Sequence, residues 1–542
     1  MTSESVSTTS PGPAARATPG RAFFVLAAAV AVLYALSLNN QWAIEPDSGL
    51  YLALGRSLAE GHGMEFNGRQ YWTLPPGLPA LIAVCRSAAG PENYGLINLM
   101  LRLFGFGTAL LAAAIVWRLA CDRPADERRW LATGTLLMVG VSATLFADAT
   151  TILTDVPFAF LIALGLYAIL RARDGGWTWY LVGAIAVAAA SWTRLLGPIL
   201  LAGMLLGAAL DFRPGWGRRW LGLLAAGALV GISLLAWMFL LRSRADAGTP
   251  DYLAAAQGGY LDVFSAEKWA DIAAGILQFP VALAGVLTDQ KLAVANLGLV
   301  AILLLGLWLA LRRRQFAVVL PLIFYVGFLI VWGHGAVARR YLLPVLPIMA
   351  YVLLLGATKV AALVTARKGT VPIARGCALP CPPEGGWATS GAKVAMAAVV
   401  VLGVAVSLPK DIEQIYWAQH PRFYEAYEDG RWTDLLDIAR LLRERGRPDT
   451  DVVATSQAAL VHYLTGLGVA PRGLWSLTAE GKLVPQPPKD FAAAAVSNGY
   501  RFVLVPTAAK DWSPDALREM EETRRFRPPD TIGHLALFER LP

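Results

Sequence analysis

The chain has 542 residues, of which 56% are hydrophobic and only 16% are charged. A mean hydropathy of +0.50, carried by long apolar runs, excludes a soluble globular protein and a disordered one. The net charge of +8 does not indicate a nucleic-acid partner, because the basic residues form short clusters between the apolar runs, as they do in cytoplasmic loops.

The density of charge divides the chain into two parts. Residues 410–542 hold 36 of the charged residues, while residues 1–409 hold the other 50. We therefore predict a membrane domain at 21–409 and a soluble C-terminal domain at 410–542. Residues 1–20 are rich in Ser, Thr, Pro and Gly, which predicts a disordered cytoplasmic tail.

Apolar runs of about 17–25 residues predict membrane-spanning helices. The first, at 22–38, follows Arg16 and Arg21 and has no small-residue cleavage site after it, so we predict a span with its N-terminus inside. The other candidates are residues 95–119, 130–147, 151–170, 177–193, 195–210, 219–241, 291–311, 316–332, 341–359 and 393–409. The total is about eleven spans, although the short turn at 192–195 leaves open whether 177–210 crosses once or twice.

The distribution of Arg and Lys sets the orientation of these spans. With the N-terminus inside, the loops that face the cytoplasm carry most of the basic residues of the membrane domain, in agreement with the positive-inside rule. An odd number of spans then places 410–542 outside. Two outer stretches are long, 40–94 and 242–290, and the apolar run at 78–89 within the first predicts a helix at the membrane interface.

The C-terminal part has the pattern of a small α/β domain. Helical spacing runs through residues 432–445. Strand-like runs follow at 451–454, 501–505 and 535–539, with a helix expected at 515–525.

The segment EPDSGLYLALGRSLAEGHGM at 45–64 follows the first span directly. Pro46 ends the preceding helix, and Leu50, Leu54 and Leu58 form one apolar stripe. This spacing predicts a short helix on the membrane surface, ended by Gly61.

Two readings of the acidic residues in this segment are open. Asp47 or Ser48 can cap the new helix and do no more. Alternatively, Glu45 and Asp47 are carboxylates beside an apolar phase, where burial favours proton-accepting chemistry. The aromatic and polar residues at 66–72 that follow are typical of a sugar-binding surface.

A second acidic candidate is Asp155, in TILTDVPF at the outer start of a span. An ionisable residue at that depth is costly and therefore a functional candidate. Asp148, just before the span, is expected to face water.

Three arginines on the outer side run against the positive-inside trend. Arg194 lies in SWTRLLGP, and Arg339 and Arg340 lie in GHGAVARRYLLPVLP. Snorkelling to lipid head groups explains any one of them, whereas together they predict a phosphate or pyrophosphate site with bidentate contacts.

Several of these motifs resemble the GT-C membrane glycosyltransferases, in particular the protein O-mannosyltransferase and aminoarabinose transferase group. The similar segments are D-x-x-x-Y from Asp47 to Tyr51, ALGRSLAEGHGM, WTLPPGLPALIAV, TDVPF and RRYLLPVLP. They occur in the family's order over residues 20–360, and the tail matches in place and size.

The resemblance implies a GT-C fold with a polyprenyl-phosphate-linked sugar as donor and a hydroxyl group as acceptor. Asp47 matches the family's proposed general base, Asp155 its second acidic position and Arg194 its basic position. On the motifs and the charges together, the expected substrate-binding residues are Glu45, Tyr51, His62, Arg194, Arg339, Arg340 and Tyr341.

The chain also departs from this family. Ser48 stands where many relatives have Glu after the Asp, and Thr73-Leu74 stand where aminoarabinose enzymes have Glu-Lys, which argues against aminoarabinose as the sugar. With scattered histidines and only a lone Cys377–Cys381 pair, we expect no metal site and no cofactor other than the donor.

The sequence thus predicts an enzyme of the inner (plasma) membrane that glycosylates a glycolipid, polysaccharide or protein at the outer face. A secondary transporter of a lipid-linked or anionic substrate is the alternative, although no internal repeat supports it. A non-catalytic scaffold is a third reading.

Overall fold

The computed structural model describes residues 18–71, 74–211, 217–244, 293–331, 339–368, 390–427, 432–455 and 457–470, and shorter pieces beyond. Those pieces are 475–477, 483–485, 495–506 and 520–541, with isolated positions at 269, 272, 273, 276, 493 and 518. Most of the predicted tail 1–20 and loop 242–290, together with Cys377 and Cys381, lies outside the described residues.

Helices dominate the described residues. In chain order they are α1 (Arg21–Leu36), α2 (Pro46–Ala59), α3 (Gly77–Ala89), α4 (Gly95–Leu119), α5 (Ala125–Gly140), α6 (Ala143–Thr150), α7 (Asp155–Gly175), α8 (Trp177–Thr193), α9 (Gly197–Asp211), α10 (Gly217–Arg244), α11 (Ala293–Arg312), α12 (Phe316–Val331), α13 (Leu346–Lys368), α14 (Ser390–Gln419), α15 (Phe423–Ala426), α16 (Thr433–Arg445) and α17 (Ala458–Thr465). A 3-10 helix, Arg339–Val345, leads directly into α13.

By length and composition, four helical stretches of the described ranges can cross a membrane, and five if α5 and α6, which meet at 47°, form one bent span. The four are Gly95–Leu119, Asp155–Ala172, Arg339–Val364 and Lys393–Gln419. Shorter apolar helices coincide with predicted spans at α1, α9, α10, α11 and α12, so the total of about eleven stays a prediction. At 177–210 the chain forms two helices, α8 and α9.

The helices of the bundle pack closely where glycines meet. A Cβ atom on Gly306 of α11 would collide with the carbonyl group of Val352 on α13, and one on Gly356 would collide with that of Ile302. Small residues let two helix backbones approach in this way. The contact fixes α13, and α13 continues directly from the 3-10 helix that carries Arg339 and Arg340.

The predicted outer loop 40–94 is folded rather than irregular. It contains α2, a hairpin of β1 (Glu65–Phe66) and β2 (Arg69–Gln70), and α3. The predicted stripe of α2 packs with Met64 and with Trp237 of α10, Leu54 being fully buried among them. The stripe therefore attaches α2 to the protein itself.

The C-terminal part contains a five-stranded mixed sheet, in which three strands lie at the strand-like runs predicted from the sequence. Strands β3 (Val452–Thr455), β4 (Gly468–Ala470) and β7 (Phe502–Pro506) are parallel, and β9 (Leu535–Glu539) and β8 (Asp530–Ile532) continue the sheet antiparallel, in the order β4-β3-β7-β9-β8. A separate two-stranded pair is β5 (Trp475–Leu477) with β6 (Leu483–Pro485).

This C-terminal unit packs onto α2. A Cβ atom on Gly49 would lie 2.8 Å from Cδ2 of Leu460 and 3.1 Å from the carbonyl carbon of Ala459 on α17, so the two helices touch near the N-terminus of α2. Tyr463 of α17 meets the Trp42 ring at 5.1 Å. The sheet domain therefore rests against the segment that carries Asp47.

Candidate active site

The N-terminus of α2 is capped in a way that leaves Asp47 available. Oγ of Ser48 accepts hydrogen bonds from the Glu45 amide at 3.1 Å and from Nε1 of Trp42 at 2.8 Å, and it donates to the Glu45 carbonyl at 2.6 Å. Glu45 is the N-cap residue, and Ser48 at the third helical position accepts from its amide, as in a capping box. Asp47 is not the N-cap residue, so the interpretation of Asp47 as only a cap is wrong.

Asp47 instead pairs with an arginine from the other end of the membrane domain. Nη2 of Arg340 donates to Oδ2 of Asp47 at 3.0 Å. The Asp47 side chain is 57% exposed and that of Arg340 is 29% exposed. The pair therefore faces a space that a substrate can reach.

A second, buried pair joins Asp155 and Arg194. Asp155 begins α7 and is 2% exposed, and Nη1 of Arg194 donates to its Oδ1. The carboxylate at this position also benefits from the positive end of the helix dipole. Burial disfavours the charged form of Arg194, but the negative charge of Asp155 outweighs that effect, so the pKa of the guanidinium is raised.

One tyrosine links the two pairs. The guanidinium carbon of Arg194 lies 4.7 Å from the ring centroid of Tyr341, and that of Arg340 lies 5.5 Å from the same centroid. Both distances fall in the range of cation–π contacts. The Tyr341 carbonyl in turn accepts a 2.7 Å hydrogen bond from the Tyr325 hydroxyl, which fixes the 3-10 helix to α12.

A backbone contact brings the two acidic loops together. Ala43 and Thr151 form an isolated parallel bridge. Ala43 lies four residues before Asp47, and Thr151 lies four residues before Asp155. The bridge therefore explains how acids that are far apart in the sequence reach one site.

Tyr51 lies one turn along α2 from Asp47 and points into the same cluster. Its side chain hydrogen bonds with Thr154 and interacts electrostatically with Arg194. Burial raises the pKa of Tyr51 to about 12, although the contacts with Arg194 and Thr154 lower it. Tyr51 is thus a protonated hydroxyl group that can donate a hydrogen bond.

Asp148 belongs to the site, which the sequence analysis missed. Its Oδ2 is shielded from solvent and has no hydrogen-bond partner among the residues that the structure describes. It interacts electrostatically with Asp155, Glu45, Arg340 and Arg194. The expectation that Asp148 faces water is wrong for this oxygen, because α6 bends by 47° from α5 and packs against the 3-10 helix.

The remaining predicted residues lie at different distances from the cluster. Glu45 is the half-buried N-cap residue of α2 and interacts with Asp148. Arg339 neighbours Arg340 but makes no ion pair within the described ranges. His62 lies beyond the far end of α2, exposed, with Nδ1 3.9 Å from Glu60. The structure does not bring His62 to the cluster.

An apolar cavity of about 580 Å³ is lined by Trp192 and Thr193, the two residues that precede Arg194. It lies between α3, α4, α7, α8 and α10, and its only side-chain hydroxyl groups come from Thr193 and Ser233. The lining residues are Gly77, Leu78, Leu81, Phe104, Pro157, Leu161, Ile185, Ala188, Ala189, Trp192, Thr193, Leu229 and Ser233. A cavity of this size and character suits a hydrocarbon chain.

No set of three or more His, Cys, Asp or Glu side chains in the described part of the chain is arranged to hold a metal ion. The absence of a metal requirement remains a prediction.

Neither a family model nor a curated protein sequence matches this chain. Solved structures do match it. ArnT from Cupriavidus metallidurans, bound to undecaprenyl phosphate, is similar with a TM-score of 0.59 at 16% identity, over 96% of this chain and 98% of that one. The oligosaccharyltransferase AglB from Archaeoglobus fulgidus, in complex with an inhibitory peptide and a dolichol-phosphate, is similar with a TM-score of 0.52 at 13% identity, over 92% and 72%.

The chain has the GT-C fold. The resemblance inferred from the sequence motifs is thereby confirmed at the level of the fold. A GT-C chain with helices of this length and apolarity is a membrane protein. Within this GT-C fold, the cluster of Asp47, Asp155, Arg194 and Arg340 is the candidate active site.

Proposed function

We propose that this GT-C protein transfers a sugar from a polyprenyl-phosphate-linked donor to a hydroxyl group of a glycolipid, polysaccharide or protein. One observation carries the proposal: two aspartate–arginine pairs share the Tyr341 ring, and the two residues that precede Arg194 line an apolar cavity. Cations next to an apolar cavity suit a molecule with a phosphate head and a hydrocarbon tail. Undecaprenyl phosphate in ArnT and dolichol-phosphate in AglB support this class of donor.

The donor occupies both parts of the site. Its isoprenoid chain fills the cavity between α3, α7 and α8, and its phosphate binds Arg194 and Arg340. Guanidinium groups suit this role because they contact phosphate oxygens in bidentate geometry. The phosphate competes with Asp47 for Arg340, so donor binding releases Oδ2 of Asp47 from the pair.

Asp47 then acts as the general base. It takes the proton of the acceptor hydroxyl while the acceptor oxygen forms a bond to the anomeric carbon of the sugar. The bond from that carbon to the phosphate oxygen breaks, and its electron pair leaves with the polyprenyl phosphate. Attack from the face opposite the leaving group inverts the configuration.

The arginines stabilise the charge that this step creates. Negative charge grows on the departing phosphate, and fixed guanidinium groups at that place lower the barrier. Asp155 holds Arg194 in position from a buried site. The Tyr51 hydroxyl supplies a hydrogen-bond donor to the sugar or the phosphate.

We propose that the two ends of the chain lie on opposite sides of the membrane. The N-terminus lies in the cytoplasm and the sheet domain lies outside the inner membrane, where it contacts α2 and borders the acceptor side of the site. The acceptor therefore approaches from the extracytoplasmic space.

Mass spectrometry of envelope lipids and glycoconjugates from cells with and without the gene tests this function. The proposal expects the deletion strain to accumulate one polyprenyl-phosphate sugar and to lose that sugar from one glycoconjugate. The wild-type gene should restore both, and a gene that carries Asp47→Asn should restore neither. Identical lipid and glycoconjugate profiles in the two strains would contradict it.

A further inference from the structure

Arg102 is a buried cation inside the bundle, outside the cluster described above. It lies in the outer half of α4 and is 3% exposed. No carboxylate in the described ranges lies within ion-pair distance of it. Burying a guanidinium without a carboxylate partner costs free energy, so the hydrogen bonds that Arg102 makes to neutral groups need an explanation.

The guanidinium donates hydrogen bonds to the ends of two other helices. Nη2 donates to the Ser37 carbonyl at 2.8 Å, and Nε donates to Oγ of Ser37 at 3.2 Å. Nη1 donates to the Ala149 carbonyl and to the Asn98 carbonyl, both at 3.2 Å. One planar group thus joins the end of α1, the end of α6 and its own helix.

These two helix ends lead into the two acidic loops. Ser37 is the C-cap of α1, ten residues before Asp47. Ala149 follows Asp148 directly and lies six residues before Asp155. The bridge between Ala43 and Thr151 lies between these anchors and the residues Asp47 and Asp155.

A neighbour on the same helix holds the first loop as well. Nδ2 of Asn98 donates to the Asn39 carbonyl at 3.1 Å and to the Gln41 carbonyl at 2.8 Å. Asn98 has no bond to the second loop. Of the two α4 side chains, Arg102 alone reaches both loops in the part of the chain that the structure describes.

We infer that Arg102 is a positioning residue, which sets the spacing between the loop of Asp47 and the loop of Asp148 and Asp155. The inference rests on the proposed function for its catalytic meaning, although the spacing itself does not. Arg102 is enclosed by protein and touches neither ion pair, so it acts through the backbone rather than on a substrate. Lysine cannot replace it fully, because an ammonium group lacks the planar fork that reaches several carbonyls.

A disulfide reporter measures this spacing without any enzyme assay. Cysteines at Ala43 and Thr151 are introduced after Cys85, Cys121, Cys377 and Cys381 have been changed to alanine. Bridged backbones lie within the Cα separation that a disulfide needs. The rate of cross-linking by a mild oxidant then reports how often the two loops lie at the spacing of the Ala43–Thr151 bridge.

We expect Arg102→Gln to slow cross-linking by about tenfold or more, the effect of losing charge-assisted hydrogen bonds. Arg102→Lys should give an intermediate rate. Arg118→Gln, at the opposite end of α4, is the matched control and should cross-link like the parent. A parental rate in Arg102→Lys, or in Arg102→Gln that keeps its helical circular dichroism, would overturn the inference. If Arg102→Gln does not fold, the rate in Arg102→Lys decides.

Transfer kinetics of the same variants separate the two proposals. With Arg194 and Arg340 intact, Arg102→Lys should lower kcat and leave KM for the polyprenyl-phosphate donor unchanged. A parent protein without transfer activity would refute the proposed function, while the cross-linking rates would still test the role of Arg102. A parental cross-linking rate in either folded Arg102 variant would refute the positioning role and leave the proposed function standing.

Discussion

Arg340 donates a 3.0 Å hydrogen bond to Asp47, a residue 293 positions earlier in the chain. The contact joins two residues that the sequence indicates for separate reasons. Asp47 lies in a motif after the first predicted span, and Arg340 is a cation on the predicted outer side, where the positive-inside rule does not expect one. The contact makes the two sequence hypotheses parts of one site. In the proposed function, the same pair keeps Asp47 occupied until a phosphate binds Arg340.

Arg340→Gln should weaken phosphate binding without unfolding the protein. Loss of a charge-assisted hydrogen bond costs about 1.5–3 kcal/mol of binding free energy, which raises Kd for a short-chain polyprenyl phosphate about 10- to 150-fold. The folded state should lose less than about 1 kcal/mol, since the pair is partly exposed. Tryptophan fluorescence titration and thermal unfolding measure the two effects. Arg129→Gln, which removes an exposed arginine paired with Asp126, is the control, and an equal loss of affinity in both variants would argue against a specific role for Arg340.

The buried pair of Asp155 and Arg194 should behave differently in a stability assay. Asp155→Asn leaves a buried guanidinium without its counter-charge, which costs about 3–5 kcal/mol of folding free energy. The double variant Asp155→Asn with Arg194→Gln should be more stable than either single variant, because no charge is then left alone. Asp126→Asn, which breaks an exposed pair with Arg129, should cost less than about 1 kcal/mol. Additive losses in the double variant would contradict the pairing.

Filling the apolar cavity should block the lipid chain and spare the ion pairs. Ala188→Trp adds a large side chain to the cavity wall and should raise Kd for a polyprenyl phosphate at least about tenfold, through lost apolar burial. Inorganic phosphate should still bind as in the parent. Leu181→Trp, on the same helix but 42% exposed, is the matched control. Unchanged lipid affinity in Ala188→Trp would show that the chain lies elsewhere.

The contact between the sheet domain and the β1–β2 hairpin should depend on pH. His462 packs at 4.9 Å against the Phe66 ring, and its Nδ1 is bonded to the Leu467 carbonyl at 2.8 Å. Burial lowers the pKa of His462, so the folded state disfavours its protonation. The stability that neutral His462 contributes is therefore present above about pH 6.5 and is lost as the pH falls below it.

Thermal unfolding at pH 7.5 and pH 5.5 checks this dependence. The melting temperature should fall at pH 5.5, and His462→Gln should show a smaller fall between the two values. An equal fall in His462→Gln would assign the dependence to other groups.

Much of the site follows from local sequence signals. Asp47, Asp155 and Arg194 lie at helix ends, where a proline, a cap or a short turn marks the boundary in the sequence. Helix ends at the outer face are also where ionisable groups stand out against apolar neighbours. Three strands of the C-terminal sheet, β3, β7 and β9, likewise lie at the apolar runs that predict them.

Other features depend on contacts that no local pattern encodes. Which arginine pairs with which aspartate is set by the crossing of α7, α8 and the 3-10 helix. The local sequence predicts that Asp148 faces water. Its carboxylate oxygen is buried instead, because α6 bends away from α5, and no local pattern encodes that bend. His62 is part of a continuous motif with Asp47, yet the length of α2 separates the two residues. The number of spans stays a prediction, because helices such as α9 are apolar but shorter than the length that identifies a membrane-spanning helix.

The most direct test of the account is the turnover of a polyprenyl-phosphate sugar by the purified protein and its Asp47→Asn variant. Release of polyprenyl phosphate is followed with the acceptor identified from the envelope analysis. Loss of a general base should lower kcat by about 100-fold or more, while Glu60→Gln beyond the other end of α2 should turn over like the parent. Asp47→Asn that folds normally and keeps the parental kcat would show that Asp47 is not the general base.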